Sequence, residues 1–479
     1  MRARKGKKRK PWTVPALAVV FSLSSLAVPA LAAVPASPPM LQAGVAQVDI
    51  TPPPGLPMYG YFDRLTKHQV ATGTLDPLYA RALVLDAGGK RVALVTLDLG
   101  RTFDESWLDR LRTAAKQTSH IDQLIVSASH THSGPNILDI YPDGRPPAWQ
   151  SAVLDKVAEA IHQAVLHLEP VRLGTGYGVT HVGYNRRQVN PDHTVTMLWS
   201  NPGKAPTTPV DATVSVIRVD RRDGTPLAIL VNYACHPVVF GADHLQYSAD
   251  YVSTMVDTVA GAFPSKPICL FLQGADGDIN PYYATTPMEQ DAVQKRDWTG
   301  GELGREAVQV AKGIQTSASP ARLDFAEDVI VFSLRWDPQK FHDDLLRVNG
   351  ALVFQDHAGQ LGASPPPSTL ALHVTTLLIN KQIAIVGMPG EPFVDFQINF
   401  RDRCPVEDCL LLGYTNGYFD YFPTILAASQ GGYGASDSNT YVPVGAGERM
   451  LDHAIRRLYE MLGELSPVPA SENDTQRTQ

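Results

Sequence analysis

Apolar, β-branched runs of five to nine residues recur at Arg81–Leu85, Arg91–Leu97, Gln123–Ala128, Ala212–Val219, Leu227–Tyr233, Pro267–Leu272, Val329–Leu334, Leu370–Leu378 and Gln382–Val386. Runs of this length bounded by turn residues predict strands. Between several of them apolar positions return every three or four residues, at Asp104–Gln117, Ala148–Leu168, Ala249–Phe263, Thr299–Gly313, Pro392–Asp402 and Gly445–Leu462, which predicts helices. Strands alternating with helices imply an α/β fold with a mixed or mostly parallel sheet. The pair flanking Gly88-Gly89 is close enough to be a hairpin, so part of the sheet is antiparallel. The expected architecture is a mixed β-sheet core flanked by helices.

Composition narrows the class. Of 479 residues, 44% are hydrophobic and 19% charged, which excludes disorder over most of the chain. With 38 prolines, 37 glycines and no fixed period, long rigid loops are expected rather than a collagen or a solenoid. Residues 40–465 read as one continuous body, with Ala363–Ser368 as a surface loop and residues 466–479 as a flexible polar tail.

The net charge of -7 conceals an asymmetry. Seven basic residues fall in the first ten, Pro11 to Ala32 carries no charge, and Ala30-Leu31-Ala32 offers a small-x-small exit, so residues 1–32 read as a secretory signal peptide. Cleavage there leaves 447 residues at -14, which disfavours nucleic acid as a partner. No later run reaches the ~18 apolar residues of a spanning helix. The expected location is therefore secreted or periplasmic. An oxidising compartment permits disulfides. Cys404 and Cys409 are close enough to pair or to remain free, and Cys235 and Cys269 read as a bridge or as buried thiols.

Three strand exits carry metal-competent side chains. Ser129-His130-Thr131-His132-Ser133-Gly134-Pro135 follows the run at 123–128, Ala234-Cys235-His236-Pro237 follows 227–233, and Gly387-Met388-Pro389-Gly390-Glu391 follows 382–386. Each is a weak signal alone. Together they place two or three histidines and a carboxylate at the carboxyl ends of strands, where α/β sheets bind ligands. Two histidines and a carboxylate match a catalytic zinc site with an open position. If the first strand continues, His130 and His132 point the same way and read as fellow ligands.

The motifs Ala43 to Pro52, Asp76 to Ala82, SHTHSGP at 129–135, Asn185-Arg186-Arg187, NYACHP at 232–237, Ser248-Ala249-Asp250, Gln273 to Asp278, Pro389-Gly390-Glu391 and Asn416 to Tyr421 occur in the order seen in one family. Over roughly residues 43–460 the chain resembles the neutral/alkaline, non-lysosomal ceramidases. The resemblance implies a zinc ion held by His130, His236, Glu391 and Tyr421, with His132 and Arg186 facing the substrate instead of the metal. Asp276 and Asp278 then either hydrogen-bond the ligand imidazoles or form an ordinary Asp-Gly turn. Against the family pattern, Gly274 and Ala275 replace a serine-containing stretch, and the chain reads as a short form comprising the catalytic domain.

The implied activity is zinc-dependent hydrolysis of an N-acyl amide, ceramide being one candidate, with a small-molecule or lipid substrate and transient contact with a membrane surface. Zinc activates water near neutral pH and polarises the scissile carbonyl. His132 and Arg186 would stabilise the oxyanion or pass a proton to the amine. Two competing readings are a zinc hydrolase of cell-envelope or sugar-derived esters and amides, and a non-catalytic envelope binding protein.

Overall fold

The computed structural model describes residues 40–137, 146–318, 321–349 and 367–465. The expected signal peptide, the tail and most of the Pro-rich stretch lie outside these residues. Eight strands form one sheet: β1 (Gln42–Asp49), β2 (Tyr79–Ala87), β3 (Lys90–Leu97), β4 (Gln123–Ala128), β5 (Glu169–Val179), β6 (Thr213–Arg221), β7 (Pro226–Tyr233) and β8 (Ile268–Gln273). Their spatial order is β8-β7-β6-β5-β1-β2-β3-β4, with β7/β8 and β3/β4 parallel and the remaining pairs antiparallel. A second sheet orders β9 (Leu323–Ser333), β10 (Thr369–Ile379), β11 (Ile383–Gly387) and β12 (Asp408–Leu412), with only β11/β12 parallel.

The mixed core flanked by helices is thus present, divided between two sheets. Side-chain alternation explains their arrangement. Along β7, Leu230 joins an apolar cluster shared with Ile385 and Leu410 of the second sheet, while Ile229 and Val231 face a separate cluster on the opposite side. That second cluster is completed by α1 (Glu105–Ser119), α2 (Ala148–Leu166), α3 (Tyr251–Gly261) and α4 (Ala292–Gly313). In the smaller sheet, Ile383 and Ile385 face the first sheet. Ala384 and Val386 face α6 (Val394–Arg403) and α7 (Ala446–Leu462), the helices that follow α5 (Pro338–Asn349). Strands covered on both faces are apolar throughout, which is why they read as unbroken runs.

Local chemistry sets the boundaries. Gly88 and Gly89 both have positive φ, 67° and 96°, as a two-residue hairpin loop requires. Asp104 caps α1 by accepting from the Trp107 amide at 2.9 Å. Strands β1, β5 and β12 fall outside the expected runs, β12 contributing only four apolar residues, Cys409–Leu412. In β5 the cause is a stripe of Gly174, Gly176 and Gly178, where an added Cβ would meet Ile314, Val310 or Glu306 at 2.1 to 2.9 Å. Glycine there lets α4 and the turn after it lie directly on the strand. Cys404 and Cys409 are disulfide-bonded, while Cys235 and Cys269 are buried free thiols. Among the described residues no helix is long and apolar enough to cross a membrane.

An ion pair joins α6 to the entry of β6. Arg401 donates to both oxygens of buried Asp211 at 2.9 and 3.1 Å, and Gln397 donates at 2.7 Å. Burial opposes ionisation, but the Arg401, Thr213 and Gln397 bonds win and hold the carboxyl below its ordinary value. Its stabilisation is therefore present above the unfolded value near ~3.9 and is lost as pH falls through the folded one. Asp211→Asn is expected to lower stability by about 2 kcal/mol at neutral pH. The gap from wild type should close below about pH 4, which denaturant melts across pH would read.

Candidate metal centre

The two sheets meet at the edge formed by the carboxyl ends of β4, β7, β8, β11 and β12. The Gly413 amide after β12 donates to the Gln273 carbonyl of β8 at 3.1 Å, and the Ala128 amide of β4 donates to Tyr414 at 3.2 Å. Fully buried Gln273 spans two exits, its side-chain amide donating to the carbonyls of Ser129 (2.9 Å) and Cys235 (3.0 Å). The residues on either side of those carbonyls carry His130 and His236. Thr131 and Ser133 brace the first loop, the Thr131 hydroxyl donating to the Ser248 carbonyl at 2.7 Å and the Ser248 amide to the Ser133 carbonyl at 2.9 Å. Asp76 in turn accepts from the Ser248 hydroxyl at 2.6 Å. The motifs at 76–82 and 248–250 are thus structural supports of the histidine loop.

His130 and His132 come together by a different route from strand alternation. The strand ends at Ala128 and His130 turns into the left-handed region, φ 67°. That conformation is costly for a non-glycine residue and is held by the surrounding bonds. It brings the two Nε2 atoms to 3.1 Å. The rings of His130, His132 and His236 present nitrogens all within 4.8 Å of one another.

Glu391 completes the cluster, its carboxylate 3.2 Å from His236 Nε2 and 3.5 Å from His130 Nε2. A short pairing of Glu391–Pro392 with Tyr421–Phe422 sets Tyr421 beside it. Tyr418 donates to Glu391 Oε1 at 2.6 Å and itself accepts from Tyr59 at 3.0 Å. Arg186 donates to the Tyr421 oxygen at 3.0 Å and to the Gly277 carbonyl at 2.7 Å, and its guanidinium stacks on Tyr421 and Tyr433.

Protonation follows from these partners. His130 Nδ1 lies 2.7 Å from the Gly100 carbonyl and His236 Nδ1 2.7 Å from the Asp276 carbonyl. A carbonyl only accepts, so each Nδ1 carries the hydrogen, and in the neutral ring that leaves the lone pair on Nε2. Burial pushes His130 down to about 4, keeping it neutral. Burial also disfavours the Glu391 carboxylate, but His130, His236 and Tyr418 outweigh it and hold the group well below the usual carboxylate range. Imidazole lone pairs therefore face a carboxylate at 3.2 to 3.5 Å, an acceptor-to-acceptor approach that a cation relieves. The donor set fits a divalent metal, zinc among them.

Each sequence-predicted site residue lies at this edge. His130, His132, Glu391 and Tyr421 line a cavity of about 370 Å³, whereas Arg186 touches it only through Tyr421 and Tyr433. Asp276 does bond the His236 imidazole, through its backbone carbonyl, and its carboxylate lies 3.4 Å from His236 Nδ1. Asp278 instead receives the Val394 amide and the Asn185 side chain, tying α6 to the residue before Arg186. Sequence reasoning missed Tyr59, Gln273 and Tyr433 as site residues. Only Gln273 left a signal, as the polar end of an apolar run.

The fold and the convergent donors define an α/β protein with a candidate metal centre at its strand ends. Residues 41–292 match the family described as neutral/alkaline non-lysosomal ceramidase, N-terminal, and the chain belongs to that family. It is 26% identical over 265 residues to neutral ceramidase A of Dictyostelium discoideum, a match covering 50% of this chain and 36% of that protein. Two solved structures share the fold. The neutral ceramidase from Pseudomonas aeruginosa has a TM-score of 0.71 at 19% identity, over 91% of this chain and 76% of that one. A ceramidase complexed with C2 has a TM-score of 0.72 at 18% identity, over 91% and 77%.

Proposed function

We propose that the protein is an exported, zinc-dependent amidohydrolase that cleaves the N-acyl bond of ceramide or a ceramide-like lipid, giving a fatty acid and a free amine. The observation that carries this reading is the opposition of two Nδ1-anchored imidazoles to a buried carboxylate within 3.5 Å, with His130 and Glu391 lining a cavity in a ceramidase-family fold. His130, His236, Glu391 and Tyr421 would hold the ion, which supplies activation of water and polarisation of the scissile carbonyl. The N-terminal basic and apolar segment supports export.

The chain's own groups do the rest. His132 lines the cavity, and its Nδ1 has no hydrogen-bond partner among the described residues. Burial holds it neutral, so it can take a proton released by the attacking water and return it to the departing amine. Arg186 stays charged because Tyr421 and Tyr433 outweigh its burial, and it fixes the Tyr421 oxygen. Asp420, Asp437, Ser438 and Asn439 line the same cavity and suit a hydroxylated, amide-bearing head, and a volume of about 370 Å³ leaves long hydrocarbon chains outside it.

N-acylsphingosines with acyl chains from two to eighteen carbons test the proposal, alongside ester and peptide controls. Amine release that stops on chelation and returns with Zn2+ is expected. A zinc-loaded protein that hydrolyses none of the amides would overturn it.

A further inference from the structure

The side chain of Arg64 is fully buried beside the cavity, in a five-residue helix, Phe62–Thr66, that precedes β2. A guanidinium has five N–H donors, and here each finds a backbone carbonyl. Nε donates to Ala242 (3.1 Å), one terminal nitrogen to Tyr59 (2.8 Å) and His132, the other to Gly241 (3.0 Å) and His244 (2.8 Å). No carboxylate lies within ion-pair distance of it among the described residues. Burying a charge against carbonyls alone is costly unless every donor is used, and the result is a knot joining three loops.

The residues around the knot bear on one imidazole. Tyr59 and Tyr61 present ring edges to His132 at 5.5 and 5.1 Å between centroids. Gly60, at φ 101°, sits so close that an added Cβ would meet the His132 ring at 2.3 Å. The Tyr59 hydroxyl continues through Tyr418 to Glu391. We propose that Arg64 is a positioning residue: by tying the carbonyls of Tyr59, His132, Gly241, Ala242 and His244 together, it holds the turn at 59–61 and the start of its own helix against His132 and sets where that imidazole stands. The consequence rests on amide hydrolysis at this pocket, but the positioning itself is a structural statement.

Lysine keeps the charge but offers three donors from one point, so it cannot span five carbonyls. Zinc-loaded Arg64→Lys is expected to retain one zinc per chain and a KM within about threefold, to lose about 10- to 100-fold in kcat, and in crystals to show His132 displaced by about 1 Å. In a His132→Ala background the same change should cost less than about threefold, because Arg64 acts through that ring. An unmoved ring with wild-type kcat overturns the proposal, as does a full loss that persists without His132. If the lysine variant does not fold, neutral Arg64→Gln serves in the same measurements. If neither folds, Gly60→Ala leaves the five bonds and must still displace the ring and lower kcat, and normal values there overturn the proposal. Absence of amine release by wild type would sink the functional reading, leaving the His132 position in the crystals to decide this one.

Discussion

Replacing His236 by alanine is expected to strip the metal and lower kcat by at least about 10³-fold. His236 is 1% exposed, its Nδ1 is anchored by the Asp276 carbonyl, and its Nε2 faces Glu391. No other described imidazole stands at that point. Activation of water and carbonyl polarisation by a divalent ion contribute several kcal/mol to the transition state, and each ~1.4 kcal/mol is tenfold in rate. Metal content by mass spectrometry and amine release, measured on the same folded sample, check the prediction. One equivalent of zinc with near-normal turnover would remove His236 from the centre.

The second large effect separates two donor sets that share His130 and His236. Geometry permits a third histidine ligand, because His132 Nε2 lies 3.1 Å from His130 Nε2, whereas the family resemblance assigns the remaining places to Glu391 and Tyr421. The cavity that His132 lines favours a proton-handling role. His132→Ala is accordingly expected to keep its zinc and lose about 10²- to 10⁴-fold in kcat, the range of a removed acid–base group. Glu391→Gln should lose zinc affinity by at least about 100-fold, since the amide removes the charge that balances the ion. Zinc loss from His132→Ala comparable to that from His236→Ala would instead establish a three-histidine centre.

Legibility in the sequence tracked the range of the interactions. The nine apolar runs all became strands; most are covered on both faces and so are apolar at nearly every position, whereas in β9 Val329 and Val331 face outward between buried Ile330 and Phe332. Strand β5 was hidden because its glycines answer to a helix 130 or so residues later in the chain, here packed by Ile314 and Val310. His130, His236 and Glu391 were visible because each sits just beyond such a run in a turn that carries Gly or Pro, before Glu391 and after the two histidines. Tyr421 was not, since it lies nine residues beyond the end of β12 in a loop whose course depends on pairing with Glu391–Pro392.

The sequence by itself determined the α/β class, the strand exits that carry the chemistry and the types of donor available there. Tertiary structure alone decided that the strands divide between two facing sheets, that His130 leaves the strand at φ 67° to meet His132, and that Arg64 and Gln273 knot the loops beneath them. The physical reason is that periodicity records which face of a single element is buried. The approach of Glu391 to His236, 155 residues apart, depends on closing long loops against one another, and no local pattern encodes that closure.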